Sequence, residues 1–568
     1  MEFTKARHIA RSTRILRGFL GYHPALRISH GEWFTEENLS SHAFPLLCPR
    51  SSRRRILDMP IEGLGALGEL CYITGSVLHY GGYTMDLPLS PGEKELIPFG
   101  AMLIIAPDMI WVNTVDHSYG SCSVAEQFAG DMGMVWCDSY AEPLEPVVEG
   151  TEPPENVEQF WLDTSAEPAL KAWSEETKLW YELTDTRIKV IADGIGIPFA
   201  TGNQVLITGD EEIERILGPG LHEILYADRD FLVLDGRLNA IRKELRGKQW
   251  EIRCPVPKMD FLLQHENRLW GCRYGTDHNG AFVNEIYSSA LGDPGSWYSF
   301  RGIATDSYVA SLGTEGPFTG AAVVGGYPVF FKENSLCRIS GNRPSNFHIQ
   351  STPCVGVAPG SERTTAILDN SLVYLGRDGF YLYDGSLPFK ISGDLDSKHY
   401  SQGVGGVLGG LYYIDLLEDG VPVTLCYDRE HRLWHRHSPM GARRMVTVGN
   451  TLYYTGGDGL YAMGGTEGQP YEEPVPFEAV TGILREDEAD HGYLAGLKLR
   501  LSMDIGSSLT VYAQYDSQDG WEPLGTMENG RLNCREVHLR LKRCDHLRLK
   551  FEGRGNVTVH AIMMIMEG

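Results

Sequence analysis

Asn370-Ser-Leu-Val-Tyr-Leu-Gly-Arg-Asp-Gly-Phe-Tyr381 and Asn450-Thr-Leu-Tyr-Tyr-Thr-Gly-Gly-Asp-Gly-Leu-Tyr461 are one phrase written twice, 80 residues apart. Midway between them Gly410-Leu-Tyr-Tyr-Ile-Asp415 opens a third apolar strand, so the working repeat is 40 residues. In each phrase a run of aliphatic and aromatic residues meets an Asp-Gly or Gly-Gly turn and resumes, which is the grammar of a β-hairpin. A period of about 40 to 50 residues matches one four-stranded propeller blade.

Working outward, the same rhythm extends back to Pro255 through Glu266-Asn-Arg-Leu-Trp-Gly-Cys272, Asn284-Glu-Ile-Tyr-Ser-Ser-Ala290 and Pro328-Val-Phe-Phe331. Asp293-Pro-Gly-Ser-Trp297 reads as a tight turn that delivers Trp297 to a core. Residues 255–473 thus hold roughly five blades, and the short strands of 57–125 add one or two. The expected fold is all-β: a β-propeller of six or seven blades. Residues 126–254 break the rhythm with an acidic, proline-bearing stretch followed by further short strands, and are expected to form an inserted small β domain. Beyond Glu473, Leu497, Leu499 and Leu501 alternate with Lys498 and Arg500, and Leu547, Leu549 and Phe551 repeat the pattern. Such alternation marks antiparallel strands with one wet face, so 474–568 is expected to be a separate C-terminal β-sandwich.

Residues 1–56 form an extended basic arm in this reading. Arg7, Arg11 and Arg14 stand at helical spacing and allow a short basic helix, which Pro24, Pro45 and Pro49 keep short. The arm lies along another surface, either this chain's or a neighbour's.

The whole chain carries a formal charge of -25, which disfavours a general coat for nucleic acid or anionic membrane. Residues 1–55 run against that trend, with ten Lys or Arg to four Glu, leaving -31 for the remainder. The arm's Arg7, Arg11, Arg14, Arg17, Arg53, Arg54 and Arg55 are therefore the candidate contact residues, since guanidinium pairs bidentately with carboxylate or phosphate. The competing reading docks the arm on the chain's own acidic surface. Eleven cysteines without a C-x-x-C pair suit reduced thiols made in a cytoplasm better than zinc or a disulfide framework. There is no apolar run long enough for a membrane span.

Candidate chemistry is sparse. His431, His435 and His437 could share a metal, but no cysteine or carboxylate pair accompanies His435 and His437. The glycines of Gly403-Val-Gly-Gly-Val-Leu-Gly-Gly410 precede a strand and not a helix, so turns explain them better than a phosphate loop. A glycosidase would need paired acids at the axial mouth, and with 75 acidic residues no pair stands out. No catalytic residue, cofactor or metal is assigned, and the chain is expected to be non-enzymatic.

Asn38-Leu-Ser-Ser-His-Ala-Phe-Pro-Leu-Leu-Cys-Pro-Arg50, Glu266–Cys272, Asn284-Glu-Ile-Tyr-Ser-Ser-Ala-Leu-Gly-Asp293, Thr305-Asp-Ser-Tyr-Val-Ala-Ser311, Gly316-Pro-Phe-Thr-Gly320 and Arg543-Cys-Asp-His-Leu-Arg-Leu-Lys550 resemble a family of tailed-bacteriophage virion proteins from phages and prophages of gut Firmicutes. More loosely, the layout is similar to the propeller-bearing nozzle or DNA-stabilisation proteins of short-tailed phages. The resemblance implies a structural subunit of a tail or neck, made in the host cytoplasm and carried in the virion. It also implies a homo-oligomeric ring, other tail or neck proteins as partners, a role in retaining or conducting phage DNA, and no membrane insertion. The alternatives are a receptor- or glycan-binding protein at the tail tip, with Trp161, Trp173 and Trp180 stacking on sugars, and a propeller glycoside hydrolase.

Overall fold

The computed structural model describes the chain except residues 1–10, 26–27, 200, 210–212, 214–215, 218–219, 277–279, 485–492, 517, 529, 543, 545 and 568. The fold is all-β, a propeller with an inserted barrel and a C-terminal sandwich. Among the described residues, seven four-stranded runs recur as blades; two of them, over 63–86 and 94–121, join through a parallel pairing of Lys94 with Gly63. The second strands of three successive blades start at Ser371, Leu411 and Thr451, reproducing the 40-residue period.

The turn that sets each start is a physical requirement. A two-residue hairpin loop that follows strand twist needs both central residues left-handed. Asp369-Asn370 and Gly409-Gly410 supply that conformation, as do Glu266-Asn267 and Gly325-Gly326 in earlier blades. The recurrent Asp-Gly-x-Tyr is equally mechanical. Tyr374 pairs with Tyr381 across strands and Tyr454 with Tyr461, with ring centroids 5.9 and 5.3 Å apart. Tyr381 donates its hydroxyl to Asp378 at 2.9 Å and Tyr461 to Asp458 at 2.7 Å. Burial first, then those carboxylates, push both phenols up to about 12.

Contacts divide the chain into two compact units. The first comprises Met1–Leu96, Thr319–Cys337 and Thr352–Gly568. In it the innermost strands Ala366–Leu368, Tyr400–Leu408, Arg444–Val448 and Gly63–Leu67 lie side by side in succession. Apolar layers fill the spaces between blades, such as Val373, Leu375, Phe380, Tyr412, Ile414 and Trp434.

Five arm strands belong to this unit: β1 (Arg11–Leu16), β2 (Trp33–Glu37), β3 (Leu39–Ser40), β4 (Cys48–Pro49) and β5 (Arg53–Leu57). Where the arginine spacing allows a short helix near the start, the described part of that stretch is the strand β1. It pairs from Arg11 opposite Glu567 to Leu16 opposite Ile562, because the waiting edge of an apolar strand outweighs local spacing. The sandwich is likewise not made by 474–568 alone. One of its sheets ends on β1 and the other on β2. Phe19, Trp33, Leu39 and Leu47 sit in its core beside Leu499, Leu549 and Phe551. The arm is therefore woven into this chain's own sheets, where the sequence reading lays it along a surface of this chain or of a neighbour.

The second unit, Ile97–Phe318 with Arg338–Ser351, contains a closed six-stranded barrel drawn from Ala125–Cys137 to Arg242–Arg253. Met134, Ile188, Val190, Ile224, Leu232 and Leu234 fill it. A four-stranded sheet, Val147–Gly150, Phe160–Asp163, Ala169–Ser174 and Leu179–Glu182, packs Leu162 and Leu170 into the same core. Trp297 reaches a core as expected: it is 1% exposed and donates its indole N–H to Pro294 O at 2.9 Å. No helix among the described residues is long and apolar enough to cross a membrane.

Candidate assembly site

The arm reaches the blades through close backbone approach. Tyr22 N–H donates to Trp434 O at 2.6 Å, and a Cβ on Gly21 would stand 2.4 Å from that oxygen. Further on, β5 pairs antiparallel with Leu460–Gly464 and completes the last blade, a latch between the chain's beginning and the end of the propeller. Gly459 makes room for it, since a Cβ there would meet Leu57 O at 2.4 Å.

Between these anchors the segment 36–50 is held by polar contacts inside the protein. Glu36 is fully buried and its carboxylate meets His435 Nδ1 at 2.7 Å. His437 donates from Nε2 to Leu39 O at 2.7 Å; burial, then Arg50 and Arg53, keep its imidazole well below the ordinary value of 6.5, so it is the neutral ring that donates. His431 Nδ1 lies 2.9 Å from Asp428, which also accepts from Ser41. Burial raises the Asp428 carboxyl, but the hydrogen bonds from Ser41 and His431 outweigh it and leave the group below its ordinary range. The three histidines thus hold the arm and its neighbouring blade edge. Among the described residues no group of three or more His, Cys, Asp or Glu side chains is placed to hold a metal.

Asn38, at φ +61, ties three parts together. Its Oδ1 accepts from Arg50 Nε at 2.9 Å and from Ser438 N at 3.0 Å, while Nδ2 donates to Pro476 O at 2.9 Å. Asparagine tolerates the left-handed conformation better than most residues.

The candidate arginines divide sharply. Arg53 is 1% exposed, donates to Ser438 O at 2.6 Å and to Pro439 O at 3.1 Å, and shares Glu472 with Arg50 at 3.2 and 2.8 Å. Burial lifts the Glu472 carboxyl, but Arg50 and Arg53 more than reverse this. Arg54 donates to Glu467 O at 2.8 Å and Gly468 O at 2.9 Å. Arg55 reaches Asp58 at 2.6 Å and Asp458 at 3.1 Å and lies over the Tyr461 ring. Partner contact by Arg53 is corrected here: a guanidinium inside the blade cannot meet another molecule, and Arg54 and Arg55 are engaged within it too. Arg14 and Arg17, by contrast, are exposed, and among the described residues neither has an ion-pair partner. Arg11 lies in β1, and Arg7 lies outside the described residues.

Sequence reasoning missed Glu36, Asn38, Asp428 and Glu472. Their only advance signal was that Asn38 and Arg50 bound one of the stretches carrying the family resemblance. The tryptophans named for sugar stacking sit together in the second unit, packed on one another. Trp161 is 6% exposed and donates to Gly150 O at 2.9 Å, and Trp180 meets both Trp161 and Trp173 at 5.7 Å in edge-on geometry.

Comparison with protein-family models and with curated proteins gives no match. Among solved structures the chain is similar to an exo-β-1,3-galactanase from Phanerochaete chrysosporium, at 10% identity and TM-score 0.20 over 53% of this chain and 94% of that one. It is similar to PorZ, a bacterial surface component of the type-IX secretion system of Porphyromonas gingivalis, at 11% identity and TM-score 0.24 over 84% and 77%. It is also similar to an arabinoxylan arabinofuranohydrolase from Bacillus subtilis, at 11% identity and TM-score 0.16 over 53% and 94%. Likenesses this shallow do not bear on what this chain does.

Proposed function

We propose that the chain is a non-enzymatic structural subunit of a bacteriophage tail or neck, with the start of the arm as its contact with a neighbouring virion protein. The observation that carries the assembly role is the division of the arm's cations. Those of 50–55 close the subunit on itself, and Arg14 and Arg17 remain outside with no anion of their own among the described residues. The tail or neck setting rests on the family resemblance of the quoted stretches. A subunit of this kind needs a rigid body and an outward tie; the woven arm supplies the first and β1 the second. The test is peptide mapping of particles purified after induction of a prophage that encodes the chain. Its peptides are expected at structural stoichiometry in the particles. Peptides confined to the lysate, with intact particles lacking them, overturn the reading.

A second reading, glycan binding at the tail tip, is favoured by a cavity of about 330 Å³ in the second unit, lined by Trp111, Tyr298, Asn203, Gln204 and Asp293. Aromatic faces beside amides and a carboxylate suit a sugar ring with its hydroxyls. A glycan array without hits counts against it.

A further inference from the structure

We propose that two copies of this chain associate head to tail, the free edge of β1 in one copy docking against the acidic edge strand Val147–Gly150 of the next. The inference rests on the assembly reading above and names the partner surface that it lacks.

Among the described residues β1 has a neighbour on one side only: its sheet runs from β1 to Val557–Glu567, Tyr493–Met503 and Leu532–Arg540. Alternate residues of such a strand turn N–H and C=O outward, a template for another strand. Ser12, Thr13, Arg14 and Ile15 are all exposed, Ile15 at 44%. Charge on an edge is also how proteins keep edges apart. The occupant must therefore carry the opposite sign.

Val147–Gly150 is the terminal strand of its sheet. It runs parallel to Phe160–Asp163, and the bonds Phe160 N to Pro146 O at 3.0 Å and Thr164 N to Gly150 O at 3.2 Å turn the even-numbered residues inward. Val147 and Glu149 consequently direct their backbone groups to the open side. Around this edge Glu142, Glu145, Glu149, Glu152, Glu155 and Glu158 are exposed, and among the described residues none has an ion-pair partner. A basic edge and an acidic edge, each without a partner among the described residues, complement each other between copies. Two β1 edges would instead set arginine against arginine, so the contact is heterologous, the type that propagates into rings or filaments.

The test uses the full chain in sedimentation equilibrium at low and high salt. Wild type is expected to associate, more weakly at high salt. R14E/R17E and E145R/E149R are each expected to weaken association about tenfold while retaining the native circular dichroism. The decisive sample is their equimolar mixture: the acidic β1 of the first variant then faces the basic edge of the second, and association returns. A wild-type chain that stays monomeric to its solubility limit overturns the contact, as do variants that associate like wild type or a mixture that fails to recover. Peptides in particles without self-association sink this contact alone, whereas self-association with particles lacking the chain sinks the tail reading alone.

Discussion

The two halves of the arm have the same basic character and opposite fates. Around residues 50–55 each guanidinium meets a carboxylate or carbonyl of this same chain; Arg50 and Arg53 do so almost wholly removed from water, Arg54 and Arg55 at the surface. Around residues 11–17 the strand pairs through its backbone while Arg14 and Arg17 face solvent. An excess of cations in a sequence segment therefore says nothing about whether they serve the fold or a partner. What decides is whether acids remote in sequence, here Glu472 and Asp458, come to the same place.

The largest effect is expected at the arm's apolar anchor. Trp33 is 1% exposed, stacks on Phe19 at 5.8 Å and meets Phe551 edge-on at 5.8 Å. Trp33→Ala is expected to cost about 4 kcal/mol in urea unfolding, the usual result of emptying a large aromatic site. Next comes Glu472→Gln, which strands two buried guanidiniums. A loss of about 3 kcal/mol is expected, and Arg14→Gln in parallel should change almost nothing. Equal effects of the two substitutions would show that the two halves of the arm do not differ in what they contribute to the fold.

Two pH dependences separate the buried contacts from the exposed ones. The Glu472 carboxyl lies below its ordinary 4.5 in the folded chain, so its contribution is complete above that value and is lost as pH falls through the folded value. His437 is neutral when folded and takes a proton more readily when unfolded. Stability should therefore begin to fall below pH 6.5, by up to about 1.4 kcal/mol per pH unit from this group. His437→Gln should flatten that slope in unfolding measurements between pH 6.5 and 5. The smallest effect concerns the repeated tyrosines. Tyr381→Phe removes one hydroxyl bond to Asp378 and is expected to cost about 1 kcal/mol, as is Tyr461→Phe at Asp458.

Much of the fold was legible because its determinants are local. The left-handed Asp369-Asn370 and Gly409-Gly410 turns and the Asp-Gly-x-Tyr hairpins recur at the spacing that the sequence displays. The propeller, the inserted β-strands and the sandwich alternation are of this kind. The assembly arm was less legible because its structure is dictated from far along the chain. β1 becomes a strand only because Val557–Glu567 offers an edge, and β5 only because Leu460–Gly464 does. Helical spacing of arginines could not compete with partners that local reading does not contain. The histidines of 431–437 show the same limit: their alternation was visible, but the arm residues they hold were not.

The β5 latch has a consequence for synthesis. Arg55 and Asp458 are 403 residues apart, so the strand that completes the last blade is made near the beginning and has no partner until that blade has left the ribosome. At about 5 to 20 residues per second, translation leaves β5 unpaired for roughly 20 to 80 seconds. During that interval its three consecutive arginines keep a would-be edge strand charged and soluble, guarding it against pairing with a neighbouring nascent chain.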